Sequence, residues 1–180
     1  EYGLFSLSVA IVGFFIAIFG LVLNEVLLRF ITMFRGEKEL NKIRYLLKFS
    51  LLVSFFSGVL ALIIFLSFSK VLAIQIFHNS EIEFYLKIFS ILIPISILLG
   101  IYISVIGAFE QIGLRSFIHN MLQNIVKVVI ILIFILLGFN ARNAISFSYL
   151  LAFAFMLIVS YYVCKHKIVV IFGKYIIDQK

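Results

Sequence analysis

Long apolar segments constrain this chain more than any other feature of its sequence. Five of them lie at 4–30, 49–68, 84–109, 117–137 and 145–163. Each approaches or exceeds the ~20 residues that a helix needs to cross a bilayer. Lipid offers no partner to exposed backbone groups, and the segments lack the alternation of barrel strands, so each is predicted to be a helix. The sequence therefore predicts an all-α, polytopic integral membrane protein.

The composition excludes the other broad classes. Hydrophobic residues make up 64% of the 180 residues and charged residues 13%, against about 45–50% and about 25% in soluble domains. The 22 phenylalanines argue against disorder. The single cysteine, Cys164, excludes a disulfide framework. Because the chain begins at Glu1 and its first apolar segment is longer than a signal-peptide core, we expect it to be part of a longer membrane protein.

The distribution of basic residues predicts the orientation. If 35–45, 110–116 and the tail 164–180 share one side, that side and its flanks hold eleven basic residues, which are Arg29, Arg35, Lys38, Lys42, Arg44, Lys48, Arg115, Lys165, Lys167, Lys174 and Lys180. The opposite side holds two, Lys70 and Arg142. The positive-inside rule makes the first side cytoplasmic, so the chain starts outside the cell membrane and ends in the cytoplasm. The net charge of +7 then reflects contact with the lipid bilayer and requires no nucleic acid.

Small residues recur at helical spacing in three of the spans. The stripes consist of Gly13, Ala17, Gly20 and Asn24, of Ser50, Ser54, Ser57 and Ala61, and of Ser96, Gly100 and Ser104. Such stripes allow close approach between membrane helices. They favour static packing, and sliding of one helix over another remains an alternative. Pro94 lies within the third span and is predicted to kink it.

Ionisable residues within the spans are the candidate site residues. Lys127 lies inside the fourth span, where insertion costs roughly 2.5–3.5 kcal/mol. It shares one helix face with Asn120, Gln123 and Asn124. This face is interpreted either as the polar wall of a solute pathway or as a snorkelling lysine with interhelical hydrogen bonds. Glu25 and Arg29 form an i, i+4 pair that either lies in the interface or lines the cytoplasmic mouth of a cavity.

No catalytic or metal-binding constellation is recognisable in the sequence. His78, His119 and His166 lack ligand spacing to other candidate metal ligands, and no glycine-rich phosphate loop follows a strand. We therefore expect transport without a cofactor or a metal, and no enzyme activity.

Several short motifs resemble one transporter family. They are the opening EYGLFS, the sequence NEVLLRF at 24–30, RGEKE at 35–39, Pro94, Gly107-Ala108-Phe109, and QNIVK at 123–127. In order and spacing they are similar to the polysaccharide and lipid-linked oligosaccharide flippases of the multidrug/oligosaccharidyl-lipid/polysaccharide exporter superfamily. The resemblance implies that the chain is helices two to six of a six-helix lobe, with the remaining helices of a full-length chain as partners.

The resemblance also implies a function. Members of the family move polyprenyl-pyrophosphate-linked saccharides across the cytoplasmic membrane by alternating access. Carried over, Arg29 and Lys127 would meet the pyrophosphate or an acidic sugar of this lipid-linked saccharide substrate. The expected substrate-binding set is completed by Asn24, Glu25, Gln123 and Asn124. Glu25 stands where many relatives have an uncharged residue. A carboxylate at this position would also suit a proton- or ion-coupled site.

Two other functions remain open at this point. A multidrug, cation-coupled exporter of the same superfamily requires intramembrane carboxylates, and Glu25 is the only carboxylate clearly inside a predicted span. A membrane-embedded enzyme of lipid-linked sugars requires acidic or histidine residues clustered at one membrane face. Glu81, Glu83 and His78 in the predicted outside loop are the only such group.

Overall fold

The computed structural model describes residues 2–78, 80–109, 113, 116–138 and 141–167. These residues are almost entirely helical, and none of them lies in a strand. The α-helices are α1 (Tyr2–Gly36), α2 (Leu40–Val71), α3 (Ser80–Ser90), α4 (Leu92–Ala108), α5 (Gln123–Leu136) and α6 (Ala141–Lys167). A π-helical segment, Leu72–Ile76, continues α2, and another, Phe117–Leu122, leads into α5. The predicted all-α class is confirmed for this part of the chain.

Four helical regions are long and apolar enough to cross a membrane. They are Gly3–Gly20 within α1, Leu40–Gln75, Ile82–Ala108 and Ala144–Lys165. The fifth apolar helix, Asn120–Leu136, is shorter. At 1.5 Å per residue it reaches about 26 Å, against about 30 Å of hydrocarbon. The described residues thus contain four helical regions compatible with a polytopic membrane protein, and the helix at the fourth predicted span, 117–137, is shorter than these four.

The helices of the structure are longer than the apolar spans predicted from the sequence. The span predicted at 4–30 continues to Gly36 and the span predicted at 49–68 begins at Leu40, so the predicted connection 35–45 reduces to three residues. Lys and Arg are good helix formers, so the helix continues where the hydropathy falls. For the same reason the span predicted at 145–163 extends to Lys167, while most of the tail 164–180 lies outside the described residues.

A tight turn joins α1 to α2. Lys38 has a φ of 58°, in the left-handed region, and the backbone N–H of Glu39 donates a 3.0 Å hydrogen bond to the carbonyl of Phe34. The Glu39 carboxylate forms an ion pair with Lys42 in the first turn of α2. The backbone hydrogen bond pairs a carbonyl at the end of α1, and the chain reverses within three residues.

The span predicted at 84–109 is divided into α3 and α4 close to Pro94, where a kink was predicted. The span predicted at 84–109 is interrupted at Ile91, which belongs to neither helix. Pro94 has no backbone N–H, so it cannot donate the helical hydrogen bond to Ser90, four residues earlier. Gly58 of α2 packs against this break, because a Cβ at that position would lie 2.9 Å from the Cα of Pro94.

Helix α4 is the centre of the bundle and packs against α1, α2 and α6. One apolar cluster surrounds its first half and includes Phe65, Phe89 and Ile93. A second cluster surrounds its second half and includes Leu27 and Ile106. Helix α5 packs along α6, and none of its residues is buried. The arrangement leaves space between α1, α4 and α6 near the junction of the two clusters.

Candidate functional site

A cavity of about 400 Å³ lies between α1, α4 and α6. Its polar lining consists of Asn24 and Glu25 from α1 and Ser96 and Ser104 from α4. Its apolar lining consists of Ile16, Leu28, Leu99, Gly100, Ile103 and Phe153. Ser96 is near the middle of the membrane-length region Ile82–Ala108, so polar groups lie well inside the bundle along this region. The volume is within the range of about 300–1,000 Å³ that is usual for small-molecule sites.

The predicted small-residue stripes of α1 and α4 meet at this cavity. A Cβ added to Gly20 would lie 3.5 Å from Ile97 Cγ1, and one added to Gly100 would overlap the Asn24 side-chain amide. Gly13, at the other end of the α1 stripe, has no atom within 4 Å of such a Cβ among the described residues. The stripes therefore pack closely around Asn24, whereas Gly13 lies on an open face of α1.

Two oxygen atoms of the cavity wall lack a hydrogen-bond partner within the described part of the chain. They are Oδ1 of Asn24 and Oγ of Ser96, and both atoms are buried. Leaving such a group unpaired costs about 1–3 kcal/mol. Buried polar groups in proteins are usually satisfied by protein, by water or by a ligand. The wall of the cavity therefore contains two buried polar atoms that the described residues leave without a partner.

Glu25 and Arg29 do not form the predicted pair. Both side chains are exposed, and the ion pairs found among the described residues do not include one between them. An exposed i, i+4 pair contributes only about 0.3–0.5 kcal/mol, so little holds the two side chains together. Glu25 lines the cavity, whereas Arg29 does not. The described residues thus show no ion pair between Glu25 and Arg29, and the assignment of both residues to the substrate stays a prediction.

Lys127 is half-buried and contacts two aromatic rings of α6. Its Nζ atom lies 4.1 Å from the ring centroid of Tyr149 and 5.9 Å from that of Phe153. Such cation–π contacts favour a desolvated ammonium group by up to about 2 kcal/mol. Phe153 also lines the cavity, whereas Lys127 itself is not among the lining residues.

The other polar residues of the Lys127 face bond within their own helical segment. Asn124 donates a 2.9 Å hydrogen bond to the carbonyl of Asn120, and Asn120 donates a 3.3 Å bond to the Ser116 hydroxyl. Both asparagines are exposed, and Gln123 is half-buried. The cavity lining includes none of these three residues, as far as the described residues show. Their assignment as substrate-binding residues stays a prediction.

Several residues at the cavity or next to it are absent from the set of site residues that the sequence predicts. Ser96, Gly100 and Ser104 were predicted as a packing stripe, although the +4 spacing that reveals the stripe also places all three on the cavity wall. Tyr149 and Phe153 were not singled out. The available signal was their own +4 spacing on α6, which presents two rings on one helix face.

The residues that the enzyme hypothesis requires are only partly described. Glu83 lies in α3 and pairs with Lys87, with its Oε1 atom 2.6 Å from Nζ. His78 is exposed in the turn before α3 with a φ of 50°, and the Glu81 side chain is outside the description. Within the described residues, no three His, Cys, Asp or Glu side chains are grouped so that they could hold a metal ion. The thiol of buried Cys164 donates to the carbonyl of Tyr102 at 3.7 Å.

Comparison of the chain with models of protein families, with curated proteins and with solved structures gives no match.

Proposed function

We propose that this chain is part of a membrane transporter that flips a lipid-linked saccharide across the cell membrane by alternating access. The observation that supports the proposal is the polar-walled cavity between membrane-length helices. A sugar headgroup cannot cross hydrocarbon unaided. Each of its polar groups that lacks a hydrogen-bond partner in the hydrocarbon costs on the order of several kcal/mol. The cavity would shield the headgroup while the polyprenyl tail stays in the bilayer.

In this proposal the cationic residues act at the rim of the cavity. The ammonium group of Lys127 lies 5.9 Å from the ring centroid of the lining residue Phe153, and Arg29 lies on α1 one helical turn beyond Glu25. Both side chains are assigned to the pyrophosphate, because ammonium and guanidinium groups bind phosphate oxygens through charge-assisted hydrogen bonds. The orientation proposed from the basic residues then places the α1–α2 turn in the cytoplasm, on the side where the cargo is made.

A cation-coupled multidrug exporter is the second candidate, and a specific observation favours it. Glu25 lines the cavity and Arg29 does not, so the charged lining side chain contributed by α1 is an acid. A carboxylate in that position suits the binding of a proton or of a cationic drug. The two candidates share the cavity and differ in what enters it.

The experiment compares glycan display with dye efflux in cells that lack their native copy of the protein. Ser96→Leu fills the cavity, and Ser67→Leu makes the same chemical change at an exposed position of α2 as its control. We expect Ser96→Leu to lose surface glycan at a normal membrane level of the protein, and Ser67→Leu to retain it. Loss of cationic-dye efflux with normal glycan display would support the exporter instead. If neither activity requires Ser96, both candidates are wrong.

A further inference from the structure

The unpaired atoms of the cavity restrict the chemistry of its ligand. Asn24 Oδ1 on α1 and Ser96 Oγ on α4 are buried and lack partners among the described residues, and both residues line the same cavity. An amide oxygen only accepts hydrogen bonds, whereas a hydroxyl also donates one. The partner that Asn24 Oδ1 lacks is therefore a donor.

The packing of α1 on α4 confines the Asn24 side chain. Its amide lies directly against the backbone of Gly100, in space that a Cβ at that position would occupy. Gly100 thus allows the amide group to rest between the two helices, beside Ser96. A group confined in this way loses little conformational freedom on binding, which is the advantage of a preorganised site.

The charge of the cavity wall also favours a ligand that donates hydrogen bonds. Glu25 contributes a carboxylate, which is an acceptor and carries a negative charge. Lys127 is not among the lining residues, and its ammonium group lies 5.9 Å from the ring centroid of the lining residue Phe153. A pyrophosphate carries acceptors and negative charge itself, so it would meet unfavourable charge at Glu25 and would leave Asn24 Oδ1 unpaired, with only the Asn24 amide N–H groups and the Ser96 hydroxyl to donate to it.

We propose that the cavity binds the hydroxyl- or amine-bearing sugar of the cargo and that the pyrophosphate stays outside it. Asn24 and Ser96 are then specificity-determining residues that accept hydrogen bonds from the sugar, and Glu25 favours a sugar with an ammonium group. This inference rests on the proposed function for the identity of the cargo. It separates sugar recognition, inside the cavity, from phosphate recognition by Lys127 and Arg29 at its rim.

The test measures thermal unfolding of the purified, full-length protein in lipid nanodiscs. The ligands are glucosamine, glucose, sodium pyrophosphate and sodium chloride, at matched ionic strength. We expect glucosamine to raise Tm more than glucose does, and sodium chloride to leave Tm unchanged. Pyrophosphate bound at the rim by Lys127 and Arg29 also raises Tm, and this shift should persist in Asn24→Leu. Ser96→Ala and Asn24→Leu should each weaken the apparent affinity for glucosamine by about three- to tenfold, the value of one lost hydrogen bond.

Ser54→Ala is the matched control variant. Ser54 Oγ is also buried without a partner among the described residues, but Ser54 is on α2 and does not line the cavity. Ser54→Ala should therefore bind glucosamine as the unsubstituted protein does. If it loses as much affinity as Ser96→Ala, or if no sugar shifts Tm, the inference is wrong.

Two further outcomes would overturn the inference in favour of another ligand. A pyrophosphate shift that Asn24→Leu abolishes would place the phosphate in the cavity, and an equal shift with sodium chloride would indicate an ion site. The binding measurement is independent of transport. Sugar binding without glycan export would contradict only the proposed function, and export without sugar binding would contradict only this inference.

Discussion

The ammonium group of Lys127 on α5 lies 4.1 Å from the ring centroid of Tyr149 on α6. A lysine in an apolar helix is costly unless something replaces its hydration. Here the replacement is an aromatic face, with Phe153 as a second ring at 5.9 Å. The contact joins α5, which buries none of its own residues, to the helix that carries the cavity-lining Phe153.

The first prediction concerns the stability that this contact provides. Tyr149→Phe keeps the ring and should change the free energy of unfolding little, whereas Tyr149→Leu should destabilise the protein by about 1–2 kcal/mol in a desolvated setting. The measurement is thermal or denaturant unfolding in detergent. In a Lys127→Met background, the difference between Phe and Leu at position 149 should shrink. A difference that persists there would indicate that ring packing alone is responsible.

The second prediction concerns the role of Lys127 in transport. Lys127→Ala should reduce glycan display at a normal membrane level of the protein, and Lys127→Arg should keep part of it, because positive charge is retained at the rim of the cavity. Lys70→Ala, an exposed lysine at the end of α2, is the control and should have no effect. Normal glycan display by a well-expressed Lys127→Ala variant would show that the lysine is needed only for insertion or packing.

The third prediction tests the packing of α2 on the break before α4. A Cβ at Gly58 would lie 2.9 Å from Pro94 Cα, a backbone atom that cannot move aside, so Gly58→Ala should destabilise the protein by about 1–3 kcal/mol. Gly13→Ala is the matched control in α1, where a Cβ meets no described atom within 4 Å. There alanine should be neutral or stabilise the helix by up to about 1 kcal/mol. Equal effects of the two substitutions on Tm would contradict the close α2–α4 contact.

The fourth prediction concerns orientation. Lys38 and His78 are exposed residues of the turns at opposite ends of α2. In a Cys164→Ser background, we expect a membrane-impermeant thiol reagent added outside cells to label cysteine at position 78 and not at position 38. The reason is the excess of basic residues on the side that contains Lys38. The opposite labelling pattern would invert the proposed topology.

The sequence predicts the helices well because lipid imposes a simple rule on them. Every backbone group in hydrocarbon must be paired within its own helix, so an apolar segment is sufficient to locate α2 or α6. Helix ends are harder to predict, since Lys42 and Arg44 support a helix as readily as apolar residues do. The interruption at Ile91 was predictable because Pro94 removes a specific hydrogen bond.

The site was harder to predict because it depends on which helix faces meet. The periodicity of α4 places Ser96, Gly100 and Ser104 on one face, but it does not tell whether that face meets a helix or encloses a cavity. Asn24 against Gly100 and Lys127 over Tyr149 are contacts between distant parts of the chain. Local spacing carries no information about such contacts, and spacing alone did not indicate that Glu25 and Arg29 form no ion pair among the described residues.

The fifth prediction separates the two candidate transport functions through Glu25 and Arg29. The two side chains form no ion pair in the structure, so substitution of one leaves the contacts of the other unchanged. In a flippase, Arg29→Ala should abolish glycan display and Arg29→Lys should weaken it, because a guanidinium binds pyrophosphate in a bidentate manner. Glu25→Gln should be tolerated, because an amide oxygen still accepts hydrogen bonds from a sugar.

In a cation-coupled exporter the expected effects of the substitutions at Glu25 and Arg29 are reversed. Glu25→Gln should then abolish efflux, because an amide at the cavity wall cannot take up a proton or balance the charge of a cationic drug. Arg29→Ala should have little effect, since Arg29 does not line the cavity. The measurement is glycan display together with cationic-dye efflux for the three variants in cells that lack their native copy. Intact glycan display in Arg29→Ala with lost dye efflux in Glu25→Gln would reject the flippase and support the exporter.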